Sequence, residues 1–531
     1  MSQGHEPQLP SGWSHCKLDD IADLIRGIAF PKVAKAQGYE KGLIACLRTT
    51  NVQQAVEWDD LWWVPERFVR RDEQIVRPGD VLISVANSHD LVGKVALIVE
   101  PPVRSTLGAF IAVIRAIMPV ECRFLYYQLA SPSVQSAIRS TASTTTNISN
   151  VNSTKVRATT LTVAPLHEQQ RIAEFLDELL SDLDAGVAAL GRVQAKLKHY
   201  RAAVLKAAVE GQLTAEWRAR NPTTEPASAL LARILTERRR RWEESQLQKF
   251  KDAGKEPPKN WKEKYQEPTS PDTTGLPSLP EGWCWATCEQ MGDVNLGRQR
   301  APQHHTGAFM RPYLRVANVY EDRIDLNSVY EMNFTPAEFA LYEVLPGDIL
   351  LNEGQSLELV GRSAIYRGEL PGTCFTNTLI RFRLYAGLMP ALAQTYFRAC
   401  LRNHRFRKLA RWTTNIAHLG GERFAAMEFP VPPIAEQEAI VEAVEAQLSV
   451  IDHLEADLEA KQKSAQALRQ SILRHAFTGQ LVPQDPNDEP ASELLKRIAA
   501  EREERSRLAK AAKSPKSAAT SKRGRRKKSA P

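Results

Sequence analysis

Arg48, Thr49, Thr50 and Asn51 put a guanidinium, two hydroxyls and a carboxamide on four consecutive residues, and similar groups return at Asn87, Ser88 and His89 and at Thr144, Thr145, Thr146 and Asn147. A second set follows at Arg315, Asn318, Asn352, Glu353, Gln355, Arg411, Thr413 and Asn415. These side chains suit the edges of bases. A guanidinium spans the two acceptors of guanine, a carboxamide the acceptor and donor of adenine, and hydroxyls serve either. The same residue types also close turns, so each position carries a bland reading as a loop staple beside the sharp one as a DNA contact. Trp13 and Trp283, which recur at one place in a repeat described below, read as core anchors rather than stacking platforms.

Groups for covalent chemistry do not assemble. There is no G-x-x-x-x-G-K-[ST] loop and no G-x-G-x-x-G after a strand, so nothing is expected to cradle a triphosphate or dinucleotide. No Asn/Asp-Pro-Pro-aromatic string is present to hold an adenine amino group, and Pro271-Asp272 lacks the Glu-x-Lys of a metal-dependent nuclease. Cys284 and Cys288 stand four apart with His304 and His305 downstream, a spacing that invites zinc, but the matching places earlier in the chain hold Ser14 and Leu18. No catalytic residue, metal or cofactor is expected in this chain. Seven cysteines without framework spacing argue for reduced thiols. The most apolar stretch, Gly108 to Met118, is short and contains Arg115, and the opening residues lack a signal-peptide pattern. A cytoplasmic location away from membranes is the expectation.

The elements that must position the candidate residues come twice. Pro78-Gly79-Asp80 returns 268 residues later as Pro346-Gly347-Asp348. Leu9-Pro10-Ser11-Gly12-Trp13 returns as Leu279-Pro280-Glu281-Gly282-Trp283, Thr145-Thr146-Asn147-Ile148 as Thr413-Thr414-Asn415-Ile416, and Gly211-Gln212-Leu213 as Gly479-Gln480-Leu481. Collinear echoes of this number mean internal duplication. Between them the content diverges, as at Arg26 to Lys41 against Gly297 to Met310. The scaffold is copied while part of its surface is not, which two different targets would require.

Residues 1–165 and 276–433 read as similar mixed α/β domains. Short strands are expected at Asp80 to Val85, Lys94 to Val99 and Phe110 to Ile114, and at Asp348 to Leu351, Arg362 to Tyr366 and Leu379 to Leu384, with helices over Cys122 to Ser140 and Ala391 to Ala410. After each domain the period changes to seven. Leu176, Leu183, Leu190, Leu197 and Val204 form one seam, flanked by Leu179, Val193, Tyr200 and Ala207. Val444, Ile451, Leu458, Ala465 and Ile472, with Leu454 and Leu468, form the duplicate, and Gly186, Gln447, Lys461 and His475 read as interruptions. Residues 166–213 and 434–481 are therefore predicted as spacer helices, each closed by a glycine suited to a left-handed cap. About forty residues predict a rod of roughly 60 Å. A single-seam helix needs a partner, and antiparallel pairing of the two would relate the halves by a pseudo-twofold axis.

Residues 214–275 and 482–509 each contain Glu-Pro-Ala-Ser, at 225–228 and 489–492, and read as accessory helices, the first running through Arg238 to Arg241 and Trp242 into a Lys/Pro-rich connector with Trp261 and Tyr265. The formal charge of +8 is concentrated at the end: residues 510–531 hold nine basic and no acidic side chains, leaving −1 on everything before them. That tail reads as disordered, and the body must gather any DNA-facing charge locally.

The string Val163-Ala164-Pro165-Leu166-His167-Glu168-Gln169-Gln170-Arg171-Ile172, echoed by Val431-Pro432-Pro433-Ile434-Ala435-Glu436-Gln437-Glu438-Ala439-Ile440, resembles the helix start of type I restriction-modification specificity subunits. The Thr-Thr-Asn-Ile, Gly-Gln-Leu and Leu-Pro-x-Gly-Trp strings fit the same family, and the resemblance spans residues 9–500. It implies two target recognition domains, each reading half of a split sequence in double-stranded DNA. It also implies paired helices that act as a ruler and dock two modification subunits. The subunit itself would catalyse nothing; its partners would methylate adenine with S-adenosylmethionine and, as restriction subunits, translocate and cut with ATP and magnesium. Three other readings stand beside it: a specificity subunit for a fused modification-cleavage partner, a stand-alone DNA-binding regulator, and a nuclease.

Overall fold

A computed structural model describes residues 9–513 except 146, 147, 223 and 414. The described residues form two compact units, one drawn from 9–190 and 460–513 and the other from 191–459. Each holds one mixed α/β domain and one portion of each long helix.

The two domains share a strand plan. In the first unit a four-stranded antiparallel sheet runs Ala22–Arg26, Ile111–Ala116, Val81–Ser84, Val95–Leu97; in the second the order Gly292–Leu296, Leu379–Leu384, Ile349–Asn352, Ser363–Ile365 is the same. Alternating apolar residues such as Val81 and Ile83, or Ile349 and Leu351, face a buried core on one side. The Pro-Gly-Asp turns explain themselves chemically. Buried Asp80 takes Arg115 Nε at 2.6 Å and Nη2 at 2.7 Å, and Asp348 takes Arg383 with the same two distances, so each turn is pinned to the neighbouring strand by a bidentate pair.

Each predicted helix after the sheet is broken in two. Cys122–Ala130 stops before Pro132, which starts Pro132–Ser140, because proline offers no N–H to continue the first helix. In the second domain Pro390–Arg402 ends at Asn403, and His404, at φ 62°, turns the chain into Arg405–Leu409.

The long helices are Leu166–Val209 and Ile434–Ala476. Their starts are fastened by the Glu-Gln of the recurring string. Gln169 Oε1 accepts from the Glu121 amide at 3.1 Å and Gln437 Oε1 from the Met389 amide at 2.9 Å. The helices run antiparallel in both units. In the first, Leu176 and Leu180 cluster with Leu473 and Ala476 while Asp184 accepts from Arg469 at 2.6 Å. In the second, Arg201 pairs with Asp452 and Glu455, and further along Arg218 donates to Glu436 at 2.5 Å.

The first seam is as predicted, but the second lies one residue further on. Leu180, Arg201 and Ala208 are buried, as are Leu448 and Ala476, while Val193, Tyr200, Leu454 and Leu468 are exposed. A helix position has apolar neighbours available at both three and four residues, and here the four-residue side faces the partner. Gly186, Gln447, Lys461 and His475 are therefore off the seam, all exposed, and interrupt nothing.

The glycines that follow the helices, Gly211 (φ 69°) and Gly479 (φ 70°), adopt the left-handed conformation, and a Cβ there would strike Pro280 at 2.5 Å or Pro10 at 2.2 Å. Each accessory helix packs on the domain that its own repeat does not contain. Ala227, Leu230 and Ile234 of Ala227–Asp252 join the core of the second domain, and Ala491, Leu494 and Ile498 of Ala491–Lys513 join that of the first. Ala227 N donates to Gly282 O and Ala491 N to Gly12 O, both at 2.8 Å. Residues 514–531, most of the basic tail, lie outside the described residues. Among the described residues no helix is long and apolar enough to cross a membrane.

Candidate nucleic-acid interface

Two of the three candidate loops of each domain come together on one small sheet. In the first domain the hairpin Ala142–Thr145 and Ile148–Val151 pairs with Ala86–Asn87, placing Ser149 opposite Asn87. In the second, Arg411–Thr413 and Ile416–His418 pair with Gly354–Gln355, placing Ala417 opposite Gln355. The ends of each Thr-Thr-Asn-Ile string are thus paired, Thr145 with Ile148 and Thr413 with Ile416, on a hairpin carried beside the Asn87 or Gln355 loop.

The side chains differ in availability. Ser88 and His89 are exposed, as are Arg411, Thr413 and Asn415. Asn87 Oδ1 accepts from Ser88 N at 2.9 Å and Gln355 Oε1 from Ser356 N at 3.1 Å, so both carboxamides shape the loop while remaining half-buried. Asn147 lies outside the described residues, and of Thr145 only the backbone is described.

Asn51, Asn318 and Asn352 correct the sequence reading. Asn51 is 1% exposed; its Oδ1 accepts from Arg48 N at 2.8 Å and its Nδ2 donates to Glu57 O at 2.8 Å. Asn318 repeats this with Arg315 N at 3.0 Å and Asp325 O at 2.9 Å. Asn352 is fully buried, with Nδ2 toward Val319 O. Asn51 and Asn318 hold their loops from within through backbone partners, and Asn352 is enclosed at the end of its strand, so none of the three presents an amide to solvent.

Arg48 and Arg315 occupy matching places above an aromatic ring, Arg48 5.0 Å from the Trp62 centroid and Arg315 4.6 Å from that of Tyr330. Arg48 pairs with Asp60, and Arg315 donates to Ser328 Oγ at 3.0 Å. These arginines and half-buried Thr49 sit on a different sheet from the hairpins. In the first domain the Phe110 turn connects the two regions: Phe110 O accepts from Val85 N at 2.9 Å and Ala86 N at 3.3 Å.

Two exposed aromatic residues and half-buried His418 are not among the residues that the sequence singles out. Trp412, 54% exposed on the second hairpin, stands where the first has Thr144, and Phe110, 63% exposed, stands where the second domain has Thr378. His418 Nδ1 lies 3.0 Å from Glu353 Oε2, at places held by Asn150 and Val85 in the first domain. The signal that finds them is disagreement between repeats at aligned positions.

Burial raises every cysteine thiol above its ordinary value. Burial pushes the thiols of Cys16, Cys46, Cys374 and Cys400 up to about 12 and that of Cys284 up to about 11, which keeps them neutral. Among the described residues no group of three or more His, Cys, Asp or Glu is arranged to hold a metal ion.

Residues 10–189 match the family model described as the type I restriction modification DNA specificity domain. The chain is 26% identical over 515 residues to the type I restriction enzyme EcoKI specificity subunit of Escherichia coli strain K12, covering 94% of this chain and 97% of that one. It is also 26% identical over 514 residues to the StySPI specificity subunit of Salmonella potsdam, covering 93% and 96%. A chain from a solved structure on complex assembly and conformational transition of the type I R-M system superposes with a TM-score of 0.60 at 16% identity, over 89% of this chain and 100% of the other, a likeness of fold. The class so defined is the type I restriction-modification specificity subunit. This chain is similar to members of that class along nearly its whole length, and its residues 10–189 are the part that matches the DNA specificity domain model.

Proposed function

We propose that the chain reads a bipartite sequence in double-stranded DNA, one half per recognition domain, and positions two modification subunits and the restriction subunits that act there. The observation that carries this is the duplicated module itself: one strand plan twice, with the exposed loop residues unlike between copies. Phosphate contacts would hold register while the unlike loops discriminate bases. Two weak readers joined by paired helices recognise a split site more tightly than either half alone, because binding of one raises the effective concentration of the other. The helices then set the unread spacer. The chain contributes no chemistry of its own; S-adenosylmethionine, ATP and magnesium belong to its partners, in the cytoplasm. The exposed candidates Arg411, Thr413, Asn415, Ser88 and His89 are the side chains proposed to meet DNA, with Arg48, Thr49 and Arg315 beside them.

Mapping methylated adenines in cells with and without this chain tests the proposal. Loss of methylation at one split motif on deletion is expected. An unchanged methylation map refutes it, and metal-dependent cutting of DNA by the purified chain alone would favour a nuclease instead.

A further inference from the structure

The first domain has a cavity of about 330 Å³ walled by Phe30, Trp62 and Phe110, with Lys35, Arg48 and Thr50 at its edge. Phe30 and Trp62 meet edge-on at 6.3 Å between centroids, and Lys35 Nζ sits 3.3 Å from the Trp62 centroid. Phe30 and Lys35 come from the stretch between Arg26 and Lys41, one of the places where the two halves diverge most.

The second domain shows what replaces these walls. Gly27 and Gly297 fix the equivalence, since a Cβ on either would lie 2.2 Å from Gly108 O or 2.4 Å from Thr376 O. Counting on from there, Phe30 corresponds to Arg300 and Phe110 to Thr378, while Trp62 corresponds to Tyr330 beneath its own arginine. The arginine over an aromatic ring is common scaffold. The apolar walls belong to the first domain alone, and two phenylalanines stand where the second domain has a cation and a hydroxyl.

We propose that this recess reads a thymine in the first half-site, with the C5 methyl against Phe30 and Phe110 and O4 facing the Lys35 and Arg48 donors. This rests on the reading of the chain as a DNA specificity subunit. In the major groove thymine presents an acceptor beside a methyl group, adenine and cytosine present an amino donor, and guanine presents two acceptors without a methyl. The lining offers cationic donors, apolar rings and the Thr49 and Thr50 hydroxyls, and it includes no carboxylate or carboxamide side chain, so its fixed polar groups favour an acceptor over an amino donor. Lys35 has no carboxylate partner among the described residues and is available to O4. Phe110, 63% exposed at the mouth, needs no rearrangement to touch a methyl group.

The test uses the complex purified through the full chain and duplexes carrying its methylation site, with deoxyuridine replacing thymine one position at a time. One substitution in the first half-site should weaken binding about fourfold, the worth of a single buried methyl group. Phe110→Ala should bind the thymine duplex about fourfold more weakly and lose the distinction between thymine and deoxyuridine. Phe30→Ala gives the second, independent variant. Both should respond to second-half substitutions as the parent does, and thermal melts that match the parent report that they fold. A first half-site without thymine on either strand, indifference to deoxyuridine at every position, or a methyl effect that survives in both variants would overturn the assignment. Those outcomes leave specific binding intact. Loss of all sequence preference in the parent complex would instead sink the specificity reading itself.

Discussion

Trp13 Nε1 donates to Glu168 Oε2 at 3.0 Å, joining the opening motif of the first domain to the first turn of its long helix. Trp283 and Glu436 repeat the bond at 2.8 Å. The two carboxylates are not equally provided for. Glu436 also accepts from Thr214 Oγ1 at 2.6 Å and Arg218 Nη1 at 2.5 Å, whereas Glu168 is 1% exposed with Oε1 unpartnered. Trp13→Phe should therefore cost about 1–3 kcal/mol, the penalty of stranding a buried acceptor. Trp283→Phe should cost less. Denaturant unfolding of both variants checks the order, and equal losses would contradict it.

The same carboxyl carries a pH signature. Burial raises the pKa of Glu168 above its ordinary value of 4.5, with the Trp13 bond opposing. An acid whose folded value is raised holds its proton more tightly when folded, so stability is gained as pH falls through the folded value and is fully present below the unfolded one. Glu168→Gln, a mimic of the protonated form, should be at least as stable as the parent near neutrality. The advantage should vanish below pH 4.5. Urea titrations of both proteins from neutral to acidic pH would show it; a glutamine variant weaker by a constant amount throughout would refute it.

Asp80 and Arg115 form a buried bidentate pair, repeated by Asp348 and Arg383. Asp80→Ala should destabilise the first domain by about 3–5 kcal/mol, because the half-buried guanidinium loses its counter-charge. Replacing both partners with apolar residues should recover much of that. Thermal melts of the single and double variants decide it, and a double variant no better than the single would argue against charge stranding as the cause.

Exchange of residues 1–165 for those of a relative with another specificity should change one half of the methylated motif and leave the other. The graft must keep Asp23, which accepts from Arg502 of the accessory helix at 2.9 Å. Methylation mapping reads the outcome directly. Change in both halves would mean that reading is not divided between the domains.

Removing one heptad from each long helix keeps the seams in phase and should shorten the unread spacer in the target. A methylated motif with the original spacing would end the ruler account.

The strand plan was legible because it is written twice. Leu379–Leu384 appears with its predicted bounds, and the other predicted sheet strands fall within two residues of theirs. The helix seam was half legible. Leu179, Val193 and Tyr200 are apolar enough to pass as a seam, while the true one contains Arg201, whose burial depends on Asp452 and Glu455 some 250 residues away in the sequence. No local pattern announces such a partner. Among the candidate DNA contacts, residue type alone could not separate exposed Asn415 from buried Asn51, since both are asparagines between strands. Phe110 and Trp412 present rings rather than the hydrogen-bonding groups that mark a base reader, and only their mismatch with Thr378 and Thr144 in the aligned repeats distinguishes them.

The crosswise docking of the accessory helices has a mechanical meaning. The piece ending near Gly254 carries the helix that completes the core around Met291, and the piece beginning near Gly275 carries the one that completes the core around Ile21. The connector between them, with Lys255 to Asn260 exposed, is the natural place for a protease to cut. A nick there would leave two fragments clasped like linked hooks, each supplying the other's missing wall, and the broken chain should travel as one particle until it is unfolded.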